Sequence, residues 1–224
     1  MRVFLIHGMG RAPTSMWVLK CRLVREGHRA TLFGYLVTVS DLERIADRFV
    51  DRVRRVMREE AAGGDGREPA YAVVGHSLGN VITRLASPRL PPGFRRFAML
   101  APPNRSPVIA RTLRDNLFFR ATTRDTGRKL TDEEFFARLP VPDVPSLIIA
   151  GNRGPRSRRL PFGGAPNDGI LKVEETRLAG IPRIEVPAIH TFLMNRRDVF
   201  EAIRDFLADP GVRSPREPSA APTC

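Results

Sequence analysis

The segment Tyr71-Ala-Val-Val-Gly75-His-Ser77-Leu-Gly79 constrains the chain more than any other, because it joins an apolar run to a helical pattern through two glycines. A short continuous apolar run marks a strand buried on both faces. Leu78 to Ala86 then continues at helical spacing. A strand that feeds straight into a helix needs a sharp turn in which side chains beside the central residue would clash, hence Gly75 and Gly79. The serine between them projects above the sheet edge at a helix N-terminus, where the dipole favours negative charge. G-x-S-x-G in this setting puts a serine where a nucleophile can work.

The rest of the chain repeats the strand-then-helix alternation. Val3 to Ile6 reads as a first strand ending at His7-Gly8, and Ser15 to Glu26 as a helix carrying Trp17, Leu19, Leu23 and Val24, with Gly27 as its stop. Arg29 to Phe33 is a second strand. Ser40 is placed to cap a long amphipathic helix reaching about Ala62, in which Leu42, Ile45, Ala46, Phe49, Val50, Val53 and Met57 recur at spacings of three and four. Further strands are expected at Ala70 to Val74, Phe94 to Leu100, Ser146 to Ala150 and Ile184 to Val186, with a closing helix at Val199 to Leu207. This alternation implies βαβ crossovers and an α/β fold of about six mostly parallel strands with helices on both faces. A single domain over 1–208 follows. Two stretches escape the pattern: 101–143, expected to form a cap or insertion, and 209–224, a Pro/Ser/Ala-rich tail expected to be disordered.

Composition narrows the class. With 224 residues and 42% hydrophobic content, the chain can build one sizeable core, and whole-chain disorder is excluded. No run approaches the ~18 apolar residues of a membrane span, and Met1 to His7 lacks a secretory h-region. Cys21 and Cys224 suit neither a structural disulfide nor a metal cluster. A soluble cytoplasmic protein is the expectation. The formal charge of +13 would attract polyanions. Yet Lys20, Lys129 and Lys172 are the only lysines among 37 basic residues, the pattern of a GC-rich genome, and the arginines are scattered instead of alternating with aromatics. No nucleic-acid partner is expected; contact with an anionic membrane surface and the oligomeric state stay open.

A serine hydroxyl is a weak nucleophile and needs a base oriented by a third group. Of the four histidines, His7 and His76 belong to the glycine motifs and His28 precedes a strand, where a surface or packing role fits. His190 follows the last strand, at the carboxyl edge where α/β enzymes keep reactive loops. Asp168, in Ala165-Pro-Asn-Asp168-Gly, follows the fifth strand and is the candidate orienting acid; Glu174 and Glu175 compete but sit in what reads as a short helix. Oxyanion donors are available from the Leu78 amide and, in the loop His7-Gly8-Met9-Gly10, from the Met9 amide. No dinucleotide or P-loop glycine spacing is present. Phe118, Phe119, Phe135 and Phe136, within 101–143, either line an acyl pocket near Ser77 or form the buried face of a crossover helix.

Taken in order, His7-Gly-Met-Gly10, Gly75-His-Ser-Leu-Gly79, Asn167-Asp-Gly169 and His190-Thr-Phe-Leu-Met194 resemble the α/β-hydrolase superfamily, specifically its small bacterial lipases and esterases, over roughly Val3 to Leu207. The resemblance implies Ser77 as nucleophile, His190 as base and then acid, Asp168 as its partner, and the Met9 and Leu78 amides as the oxyanion hole. It also implies hydrolysis of a small-molecule or lipid carboxylic ester through an acyl-enzyme, with no cofactor and no metal. The sequence departs from the full eight-stranded pattern in lacking its first two strands, as minimal lipases do, and in carrying Asn80 where many relatives have a second small residue. The same constellation would serve acyl transfer or thioester or amide cleavage, and the fold without catalysis would be a binding protein.

Overall fold

The structure, a computed structural model, describes residues 1–63 and 68–209. Apart from Asp209, the expected tail lies outside the described residues. Six strands, β1 (Arg2–Ile6), β2 (Arg29–Phe33), β3 (Tyr71–His76), β4 (Phe94–Leu100), β5 (Ser146–Gly151) and β6 (Arg183–Val186), form one sheet in the order β2-β1-β3-β4-β5-β6. All five pairings are parallel. The crossovers include α1 (Trp17–Arg25), α2 (Leu42–Ala62) and α3 (Leu78–Ala86), and α7 (Arg197–Ala208) closes the chain.

Strand alternation sends side chains to two cores. Phe4, Ile6, Tyr71, Val73, Phe97 and Met99 pack on the α2 and α3 side, while Val3, Leu5, Ala72, Val74, Ala98 and Leu100 pack on the α1 and α7 side. Each face is covered, which is why the strands read as continuous apolar runs.

Two helix starts differ from expectation. The long helix begins at Leu42, capped by Asp41, whose Oδ1 accepts the Arg44 amide at 2.8 Å; Ser40 stands one residue too early to reach it. The first helix is preceded by a 3-10 turn over Pro13–Met16, and its buried residues are Leu19 and Leu23, leaving Trp17 and Val24 exposed.

Residues 101–143 contain three helices, α4 (Val108–Leu113), α5 (Leu117–Leu130) and α6 (Glu133–Arg138). Arg84 on α3 ties this segment down: its guanidinium, buried among neutral acceptors, donates to Pro140 O, Leu139 O and Asn104 Oδ1. Burial lowers its pKa to about 10.

The strand order fixes where a ligand can sit. The chain moves outward from β1 to β2, then returns across β1 to β3, so connections reverse direction between β1 and β3. Beyond the carboxyl ends of these two strands a crevice opens. The loop His7–Arg11 and the turn at Ser77 are what the sequence places there.

Candidate active site

Ser77 sits between β3 and α3 with φ 51° and ψ −119°, a conformation that costs a non-glycine residue about 1–3 kcal/mol. The glycines beside it are required by contact. A Cβ at Gly79 would lie 2.6 Å from Ile6 O, and one at Gly75 would overlap Asn80 Oδ1. Asn80 uses the space that Gly75 leaves: its Nδ2 donates to Ser77 O at 3.1 Å and to Leu100 O at 3.0 Å, while the Ser77 amide donates to Leu100 O at 2.9 Å. The departure noted at Asn80 is therefore a side chain that pins the turn.

Asp168 and His190 meet between the loops that follow β5 and β6. Asp168, 2% exposed, accepts the Leu171 amide at 2.7 Å and the Ile170 amide at 2.9 Å on Oδ1, and His190 Nδ1–H at 2.7 Å on Oδ2. The His190 amide donates to Asp168 O at 2.8 Å, so backbone and side chain fix the same pair. With Nδ1 carrying the proton, a neutral imidazole keeps its lone pair on Nε2. Glu174 and Glu175 lie in the 3-10 turn Val173–Thr176; Glu175 accepts the Lys172 and Val108 amides and serves the loop instead of a histidine.

His76 connects the two sides. Its buried Nε2–H donates to His190 O at 3.1 Å, and the rings lie 4.8 Å apart, so the loop bearing His190 is held against the residue preceding Ser77. Burial, reinforced by the neighbouring His190, pushes the His76 pKa well below the usual histidine range and keeps the ring neutral. Among the described residues the Ser77 hydroxyl makes no hydrogen bond; such contacts often tighten only around substrate.

The loop after β1 is braced by Tyr35. Its ring stacks on His7 at 4.3 Å, its hydroxyl donates to His7 O at 2.8 Å, and its amide donates to His7 Nε2 at 3.4 Å. His7 Nδ1–H donates to Gly8 O at 2.8 Å, so the ring is neutral, and burial lowers its pKa. A Cβ at Gly8 would come within 3.1 Å of Ser77 Cβ, which shows how closely this loop approaches the serine. The amide of Leu78, first in α3, has no intrahelical partner.

An apolar cavity of about 170 Å³ opens at Ser77, walled by Met9, Leu78, Leu113, Phe119, Leu130 and Leu171 among others. The four phenylalanines divide. Phe119 is on this wall and Phe118 is 78% exposed, because neighbours on a helix point about 100° apart. Phe135 and Phe136 pack into the core on the α2 and α3 side.

No protein-family model and no curated protein matches the sequence. Solved structures do. The mature lipase BlEst2 of Bacillus licheniformis superposes with a TM-score of 0.70 at 14% identity, over 92% of this chain and 91% of that one. A pyrethroid hydrolase of Sphingobium faniae gives 0.61 at 15% identity, over 94% and 98%. Phospholipase PlaB of Legionella pneumophila gives 0.64 at 16% identity, over 79% of this chain and 44% of that one. The chain has the α/β-hydrolase fold.

Proposed function

We propose that the protein is a serine hydrolase of carboxylic esters, with Ser77 as nucleophile, His190 as general base and acid, Asp168 as its orienting partner, and the Met9 and Leu78 amides as oxyanion donors. The observation that carries this reading is the buried Asp168–His190 pair, hydrogen-bonded to His76, the residue before a strained serine set between Gly75 and Gly79. That structurally similar proteins include lipases and a pyrethroid hydrolase agrees with it.

In this mechanism Ser77 Oγ attacks the ester carbonyl carbon as His190 Nε2 takes its proton. The negative oxygen is held by the two amides, which need no reorganisation. The bond to the alcohol oxygen breaks, and that oxygen receives the proton from His190. Water then attacks the acyl-enzyme, gives a proton to His190, and releases the acid as Ser77 recovers its hydroxyl proton. Asp168 holds the ring in the tautomer that presents Nε2.

We further propose that 101–143 is a cap and that Phe119 closes the acyl cavity. Phe119→Ala is expected to shift preference toward longer acyl chains, while Phe118→Ala leaves it in place; identical chain-length profiles for wild type and Phe119→Ala would remove the idea. The function itself is tested with 4-nitrophenyl butyrate. Asp168→Asn is expected to lose about 10⁴-fold in kcat, and an Asp168→Asn variant with near wild-type turnover would overturn the assignment.

A further inference from the structure

Two cavities meet at Met9. The apolar one at Ser77 has no charged residue in its wall. The second, about 440 Å³, is walled by His7, Gly10, Arg11, Tyr35 and Thr122 among others, and Met9 belongs to both. An ester carbonyl seated on the Met9 amide would have one cavity on each side, one for the acyl chain and one for the alcohol.

The larger cavity has a distinct chemistry. Among the described residues Arg11 is the only arginine that lines it, and no carboxylate does. Gly10, at φ 67°, turns the chain just before Arg11, and both residues line this space. Arg11 Nη2 donates to Thr191 O at 2.9 Å, which holds the guanidinium in place, while its buried Nε has no hydrogen-bond partner. A guanidinium that is positioned but not neutralised is a receptor for a planar or tetrahedral anion. We propose that the ester cleaved here carries an anionic group, phosphate or carboxylate, on its alcohol side, and that Arg11 binds it while the acyl chain fills the apolar cavity. The proposal rests on the ester-hydrolase reading above and adds no covalent step to it. Thr191 follows His190, so the loop that carries the base also accepts the hydrogen bond that holds Arg11.

The test compares 1-butyrylglycerol with 1-butyrylglycerol 3-phosphate, which share an acyl group and differ in charge. Wild type is expected to favour the phosphate by about ten- to a hundredfold in kcat/KM, chiefly through KM, the range for a charged hydrogen-bond pair. Arg11→Gln should bring the ratio near one, and Arg11→Lys should keep part of it. Equal rates on both esters in wild type, or an Arg11→Gln variant that slows both alike, would overturn the proposal and leave Arg11 as a strap to Thr191. Vesicles of phosphatidylglycerol and phosphatidylcholine separate the sources of the anion. Preferential cleavage of phosphatidylglycerol that Arg11→Gln abolishes assigns a lipid headgroup; preference confined to the soluble phosphate assigns a free anionic ester. If wild type cleaves neither butyryl ester, the ester reading fails, and calorimetric titration with glycerol 3-phosphate judges the anion site alone: binding weakened tenfold or more by Arg11→Gln supports it, and no binding overturns it.

Discussion

Ser77 and Arg124 share nearly the same backbone conformation, φ 51° and ψ −119° in one, φ 47° and ψ −124° in the other, yet they are held in opposite ways. At Ser77 the strain is enforced by the sheet: β4 accepts its amide through Leu100 O, Asn80 clamps its carbonyl, and the loop after β1 runs so close that a Cβ at Gly8 would lie 3.1 Å from Ser77 Cβ. At Arg124 the side chain is exposed and the constraints come from the same helix, with Thr123 Oγ1 bonded to Phe119 O at 2.6 Å and Asp125 paired with Lys129. A strained residue persists when its surroundings over-determine it. The first turn is fixed by strand, loop and helix together; the second is a kink in α5 flanked by contacts mostly local to that helix, with Lys129 alone reaching Glu43 of α2.

The largest test of that contrast removes the group the scaffold strains to present. Ser77→Ala is expected to lose at least about 10⁴-fold in kcat while keeping the fold, measured by ester hydrolysis beside circular dichroism. Next comes the clamp. Gly75→Ala must displace Asn80 and should lose about 1–3 kcal/mol of stability, the usual range for overpacking. Asn80→Ala should lose a similar amount through its two hydrogen bonds. Because the two residues touch, the double variant should be less destabilised than the sum, and strict additivity in denaturant titrations would mean that Asn80 does not occupy the Gly75 space.

A smaller effect follows from the neutral histidines that brace the site. His7 and His76 are lowered below the ordinary value of 6.5 in the folded protein, so below that pH the unfolded chain binds protons that the folded chain refuses. Stability therefore falls with acidification, by up to about 1.4 kcal/mol per pH unit for each group. Thermal melts at pH 7.5 and 5.5 should show the loss, and His76→Gln should reduce it. The smallest effect belongs to the other turn: Arg124→Gly relieves a positive φ and should raise stability by about 1 kcal/mol. No gain in Tm would place Arg124 in as tight a frame as Ser77.

What could be read in the sequence was what depends on neighbours along the chain. The turn at Ser77 follows from a buried run, two glycines and a helix within nine residues, and Asp168 and His190 from the ends of successive strands. The six-strand parallel sheet followed from the alternation of short apolar runs with amphipathic stretches. The supports of the site were not legible, because they join residues far apart. His76 reaches His190 across 114 positions, and Tyr35 braces His7 across 28. Nor could spacing alone show which of Phe118 and Phe119 faces the cavity, since the phase of α5 is set by packing. Along the sequence Arg11 is one more arginine in an arginine-rich chain; what sets it apart is a cavity that no carboxylate lines among the described residues.

If Ser77 is an activated nucleophile, it reacts with a fluorophosphonate probe, and peptide mass spectrometry locates the label. One labelled peptide is expected, the one bearing Ser77, with labelling abolished in Ser77→Ala and strongly slowed in Asp168→Asn. Well-folded protein that takes up no label, or label on another serine, would contradict it.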